Sequence, residues 1–166
     1  VQTAEEEVAS AKLAAVEMLR TGTTCFLEAG TIYHLDEVFS ELSKVGIRGR
    51  LGKWIWDLPP EPVIYRQSTD VAIENLNRQL ERYNKPSELL SAWSTLVGHT
   101  TCSDPLWREA KALAIIHEVG MSFHMSPAQI DPDGFVAEFG DPVLWVPVLC
   151  RTLHGHHVRA AREYSD

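Results

Sequence analysis

Gly120-Met121-Ser122-Phe123-His124-Met125-Ser126 is the stretch on which the fold turns. It is a short apolar run closing on a histidine. Before it, Pro105 to Glu118 carries Leu106, Ala110, Leu113 and Ile116 at helical spacing, and a turn-rich segment follows. Met121 to Met125 therefore reads as a strand delivered by a helix. The same unit recurs toward the N-terminus. A helix from Asp70 through Ile73, Leu76, Leu80 and Tyr83 leads into a strand, Leu89 to Val97. Leu35, Val38, Phe39 and Leu42 make a helix stopped at Gly46, and Ile47 to Trp56 follows as a strand. Thr3 and Glu6 have the spacing of a capping box; their helix ends near Thr21-Gly22, before the β-branched run Thr23 to Glu28. Asp57-Leu-Pro-Pro-Glu-Pro is a loop, since its prolines forbid regular pairing. Helix and strand alternate four times, which predicts an α/β fold with a parallel sheet or a piece of a (β/α) barrel.

Composition narrows the function classes. The 166 residues are 45% hydrophobic and 23% charged, as in a globular domain with its own core. A net charge of -8 argues against nucleic acid, whose binders need a basic face. Cys25, Cys102 and Cys150 are odd in number and far apart, so no disulfide framework is expected and a reducing cytoplasm is the expected location. No apolar run approaches the roughly 20 residues that cross a bilayer, so no membrane partner is expected. The acidic start does not read as a signal peptide.

In parallel α/β barrels the site forms at the C-terminal strand ends. His124 stands at such an end and is the candidate metal ligand. Glu28 ends another strand on the same face; it reads as a hydrogen-bonded or a substrate-binding carboxylate. His99 and Cys102, in Val97-Gly-His-Thr-Thr-Cys102, follow a third strand, with His99 the candidate substrate contact. Trp54 and Trp56 share a face at period two and are expected in the core or between helices. His34 and His117, near a helix start and inside a helix, are expected at the surface. His154-Gly-His156-His157 has the spacing of a metal-binding HxH pair, to which Cys150 could add a ligand; a polar loop is the competing reading.

Three segments carry a resemblance. AKLAAVEMLRTGTTCFLEAG (11–30), VFSELSKVGIRGRLGKWIWD (38–57) and SDPLWREAKALAIIHEVGMSFHMS (103–126) resemble, in order and spacing, segments of the amidohydrolase superfamily, in its cytosine deaminase and chlorohydrolase-like branch. The resemblance implies a TIM-type (β/α) barrel and metal-dependent hydrolysis of non-peptide carbon–nitrogen bonds, deaminase-like, in a small heterocyclic amine. It implies a divalent metal, zinc or iron, with His124 at the fifth-strand ligand position. The family's acidic or amide group three residues on falls at Pro127 here, leaving Gln129 as the nearby candidate substrate contact. LHGHHVRAAREYSD (153–166) matches the sixth strand with Arg162 at the metal histidine's place and Gly155 in the preceding loop. An arginine has no lone pair to offer a metal.

A complete barrel of this kind takes about 250 residues. The expectation is therefore one incomplete domain over residues 1–166, about strands two to six with intervening helices. The first-strand HxH and the eighth-strand aspartate would lie outside it, and the isolated chain is expected to be inactive. Its open sheet edges are expected to promote self-association. The alternative is a non-catalytic barrel remnant or interaction domain without metal.

Overall fold

A computed structural model of the chain describes residues 2–30, 32–58, 67–85, 88–98, 101–124, 133–134 and 136–137. The chain divides into two compact units, Val1–His124 and Met125–Asp166, and every named element lies in the first. The order is α1 (Ala4–Arg20), β1 (Cys25–Leu27), α2 (Leu35–Val45), β2 (Arg48–Leu51), α3 (Thr69–Tyr83), β3 (Leu90–Ala92), β4 (Ser94–Thr95), α4 (Asp104–Ile116) and β5 (Met121–Ser122).

The helix limits follow from local chemistry. Thr3 accepts from the Glu6 N–H while the Glu6 carboxylate accepts from the Thr3 N–H, a reciprocal cap that begins α1. Ser68, two residues before the expected start at Asp70, caps α3 through the Val71 N–H. Ser103 caps α4, with Pro105 in its first turn, where a missing N–H costs nothing. Gly46 ends α2 in the left-handed region, at φ 81°.

Among the described residues all strand pairs are parallel. β1 pairs with β2 and β2 with β3 in one ladder, and β4 pairs with β5 in another. The expected strand Leu89–Val97 is broken at Trp93. Before it the chain pairs with β2; after it, with β5. At the break Trp93 still donates its N–H to the Leu51 carbonyl at 3.0 Å, and its indole lies against Gly120, where a Cβ would come within 2.9 Å. The expected strand Ile47–Trp56 is likewise shorter, with regular pairing only over Arg48–Leu51 and a single later bridge from Ile55 to Leu96.

The core lies between strands and helices. Val38, Leu42, Ile47, Leu51, Leu76, Leu80, Leu96 and Leu106 are all buried. Each such side chain stabilises the fold by about 1.5–3 kcal/mol. Helices also lock to one another, since Phe39 of α2 stacks on Tyr83 of α3 with ring centres 4.3 Å apart. Asp36 of α2 accepts from the Tyr83 hydroxyl and pairs with Arg82 at 2.8 Å.

Two expectations need correction. Trp54 and Trp56 do share a face, alternating with the buried Ile55 and Asp57, but that face is half-exposed rather than core. His117 is the C-cap of α4 rather than a residue within it, and its ring nitrogen meets Asn77 of α3 at 2.9 Å. No helix among the described residues is long and apolar enough to cross a membrane.

Candidate functional site

Parallel pairing puts the C-terminal ends of all five strands on one side, and the candidate residues there arise from the loops that follow. Glu28 leaves β1 with its N–H still donating to the Arg50 carbonyl at 2.8 Å. Its carboxylate accepts from the Gly30 N–H at 2.6 Å and so tightens the turn. Gly30 has φ +106°, and a Cβ there would overlap the Trp54 indole. Only glycine meets both demands. Trp54 fills the space: its N–H donates to the Gly30 carbonyl at 2.8 Å and its ring nitrogen to the Ala29 carbonyl. The fully buried Thr95 packs against both Gly30 and Gly52.

His124 follows β5, its N–H donating to the Val97 carbonyl at 3.0 Å. Its imidazole meets the Trp54 ring edge-to-face, with centres 5.3 Å apart and planes at 70°. Trp54 in turn lies 6.4 Å from Trp56. One indole, fixed by its ring hydrogen bond and by the Trp54 backbone bond, thus joins the ends of β1, β2 and β5.

Beneath this surface lies a polar node. The carboxylate of Asp57, 7% exposed, accepts from the Ser103 N–H at 2.8 Å, the Ser103 hydroxyl at 2.6 Å and the Thr69 hydroxyl at 2.6 Å. It ties the loop after β2 to the first turns of α3 and α4, where a negative charge is also favoured by the helix dipoles. Next to it, the Cys102 thiol donates to the Ile55 carbonyl, and burial pushes its pKa up to about 11. That thiol stays protonated at neutral pH and is no nucleophile.

The sequence-based candidates divide accordingly. His124 and Glu28 stand at the same end of the strands. His99, Gln129, Arg162 and the 154–157 histidines lie outside the described residues, as does Cys150. Among the described residues no three His, Cys, Asp or Glu side chains converge, so they do not by themselves complete a ligand set. The Asp57 node and the Trp54–His124 contact went unread in the sequence. A glycine two residues after a strand-end carboxylate was the available signal for the second.

No family model matches the chain. It is 24% identical over 140 residues to the 5-methylthioadenosine/S-adenosylhomocysteine deaminase of Bacillus cereus strain G9842, a match covering 83% of this chain and 31% of the relative. The deaminase of the same name from Bacillus anthracis is 24% identical over 147 residues, covering 87% and 33%. Among solved structures, a guanine deaminase from C. acetobutylicum superposes with a TM-score of 0.65 at 19% identity, covering 82% of this chain and 34% of that one. The chain resembles the amidohydrolase superfamily in sequence and in fold. An atrazine chlorohydrolase mutant from Arthrobacter aurescens, complexed with zinc and atraton, gives this amidohydrolase-like chain a TM-score of 0.77 at 14% identity over 91% of its length and 36% of the other. An adenosine deaminase from Xanthomonas campestris with bound zinc gives 0.71 at 23%, covering 92% and 33%. The chain spans about a third of the length of the curated relatives it matches.

Proposed function

We propose that the chain is the central part of an amidohydrolase-type hydrolase, a partial (β/α) barrel of about strands two to six. Its chemistry is hydrolysis of a non-peptide carbon–nitrogen bond in a small heterocyclic amine, in which water adds to the ring carbon and ammonia leaves. The likeness to deaminases over most of this chain supports the substrate class. The single observation that carries the reading is the place of His124, at the C-terminal end of β5 and against the fixed indole of Trp54. His124 is proposed as one ligand of a divalent metal, zinc or iron. Glu28, His99 and Gln129 are proposed as substrate contacts. The described residues do not by themselves complete that metal's ligand set. A cytoplasmic location and self-association through the strand edges belong to the same proposal; among the described residues β1 has a ladder partner on one side only.

A second reading, a non-catalytic interaction domain, draws support from Arg162 at the position where the family register expects a ligand. Metal analysis of the purified chain separates the two. Bound zinc or iron that is lost in His124→Ala supports the first reading. Metal retained fully by His124→Ala overturns the assignment of His124, and loss in His156→Ala would then place the ligands in the HxH pair. His124 that does not respond to excess zinc or iron favours the second reading over the first.

A further inference from the structure

Helix α1 has two contrasting faces. On one, Ala15 is buried and Ala11 and Met18 are half-buried where the helix packs on α2, and Lys12 pairs with Glu41 of α2 at 3.1 Å. The other runs through Glu6, Ala9, Leu13, Val16 and Arg20, all exposed, with Leu13 at 61% and Val16 at 44%. The steps between them are three, four, three and four residues, so at about 3.6 residues per turn they form one stripe. Single exposed apolar residues are ordinary on a protein surface. A stripe at heptad spacing, apolar in the middle and charged at both ends, is the pattern of a helix-pairing seam.

The two ends indicate the occupant. Glu6 lies in the first turn of α1 and Arg20 in the last, with Leu13 midway between them. Two copies of α1 crossing antiparallel on a two-fold axis at Leu13 set Leu13 against Leu13, Ala9 against Val16 and Glu6 against Arg20. Glu5 adds to the acidic end, and Glu17, beside the stripe, meets the neutral Ser10 of the other copy. A parallel pair would instead set Glu6 on Glu6 and Arg20 on Arg20, with the helix dipoles aligned. Both charges are free to pair across the seam. Among the described residues Arg20 has no carboxylate partner, and Glu6 accepts only from the Thr3 N–H at 2.8 Å and the Thr3 hydroxyl at 3.1 Å.

We propose that this face of α1 docks a second copy of the chain as an antiparallel α1–α1 pair. The inference rests on the self-association proposed above and assigns it a face other than the strand edges. One helix pair is a small interface, so the dimer is weak and reversible. Disulfide trapping reads this face alone. Under mild oxidation Leu13→Cys is expected to form far more covalent dimer than wild type, with a 13-to-13 link in its peptide map. Ala14→Cys, also exposed on α1 but off the stripe, is expected to form no more than wild type. In sedimentation, Arg20→Glu and Glu6→Arg are each expected to weaken the dimer about tenfold, since two ion pairs become two like-charge contacts. An equal mixture of these two variants is expected to recover wild-type association, because every end then meets its opposite charge. Thr3 still caps the Glu6 variant, and unchanged circular dichroism checks that each variant folds. No excess dimer from Leu13→Cys, equal trapping at Ala14→Cys, or a mixture no tighter than its separate variants would overturn the α1 pair. Wild-type association that persisted alongside such a result would leave the strand edges as its route, whereas a monomeric wild type would remove both.

Discussion

Gly30→Ala tests the architecture of the candidate site at its tightest point. Gly30 has φ +106°, and an added methyl would sit 2.5 Å from the Thr95 methyl carbon while overlapping the Trp54 indole. Carbon atoms in good contact stand about 3.5–4.0 Å apart, so something must move. Two costs add. The left-handed backbone costs an L-residue about 1–2 kcal/mol, and overpacking a filled site costs about 1–3 kcal/mol. The expected loss is therefore about 2–5 kcal/mol, a large share of the 5–15 kcal/mol typical of a domain. Gly22 provides the internal control. It has φ +93° with nothing within 4 Å of a built Cβ, so Gly22→Ala should lose only the backbone part, about 1–2 kcal/mol. Urea unfolding followed by circular dichroism measures both. With a slope of about 1–3 kcal/mol per molar urea, the Gly30 variant should unfold at the lower urea concentration, by roughly 1 M. Equal midpoints, or a more stable Gly30→Ala, would refute the claim that Trp54 is clamped against this glycine.

Other outcomes follow from the same geometry. Asp57→Ala leaves two hydroxyls and one backbone N–H without their acceptor and should cost about 3–5 kcal/mol, whereas Asp57→Asn, which keeps an acceptor oxygen, should cost less; denaturant titration reads both. The Cys102 pKa is raised from 9.0 to about 11, chiefly by burial, so its stabilising share is complete below pH 9 and is lost as the pH rises through 11. Melting curves across that window should fall less steeply for Cys102→Ser than for wild type, by an amount on the order of 2–3 kcal/mol. Leu13 (61% exposed) on α1 and Ile116 (71%) on α4 leave apolar surface uncovered, so sedimentation should reveal concentration-dependent association that Ile116→Lys reduces. A monomer at high concentration in both proteins would contradict that expectation.

Much of the fold was legible because local chemistry and packing agree. The Thr3–Glu6 box, the Gly46 stop and the buried rows Val38–Leu42 and Leu76–Leu80 are signals at fixed spacing, and each element they imply is present. Parallel pairing follows from helices placed between strands. The illegible parts depend on contacts distant in sequence. The strand broken at Trp93 reads as continuous, because its change of partner from β2 to β5 rests on segments distant in sequence. Asp57 precedes two prolines and looks like loop, yet its partners lie 12 and 46 residues away. Period two puts Trp54 and Trp56 on one face, but does not tell that this face lies half-open at the strand ends. At the candidate site, Glu28 and His124 could be placed at one end of the sheet from strand order alone. Their neighbours could not: the indole that touches His124 comes from the loop after β2, 70 residues earlier.

The central claim is that His124, held against Trp54 at the strand ends, is the metal-facing residue of this unit. Zinc titrated into the chain and followed through its histidine and tryptophan resonances tests it most directly. The account predicts that the His124 imidazole signals move first, that the Trp54 indole signal moves with them because the rings are in contact, and that His34 and His117 stay still. Zinc that leaves the His124 signals unmoved while binding elsewhere in the chain would contradict it.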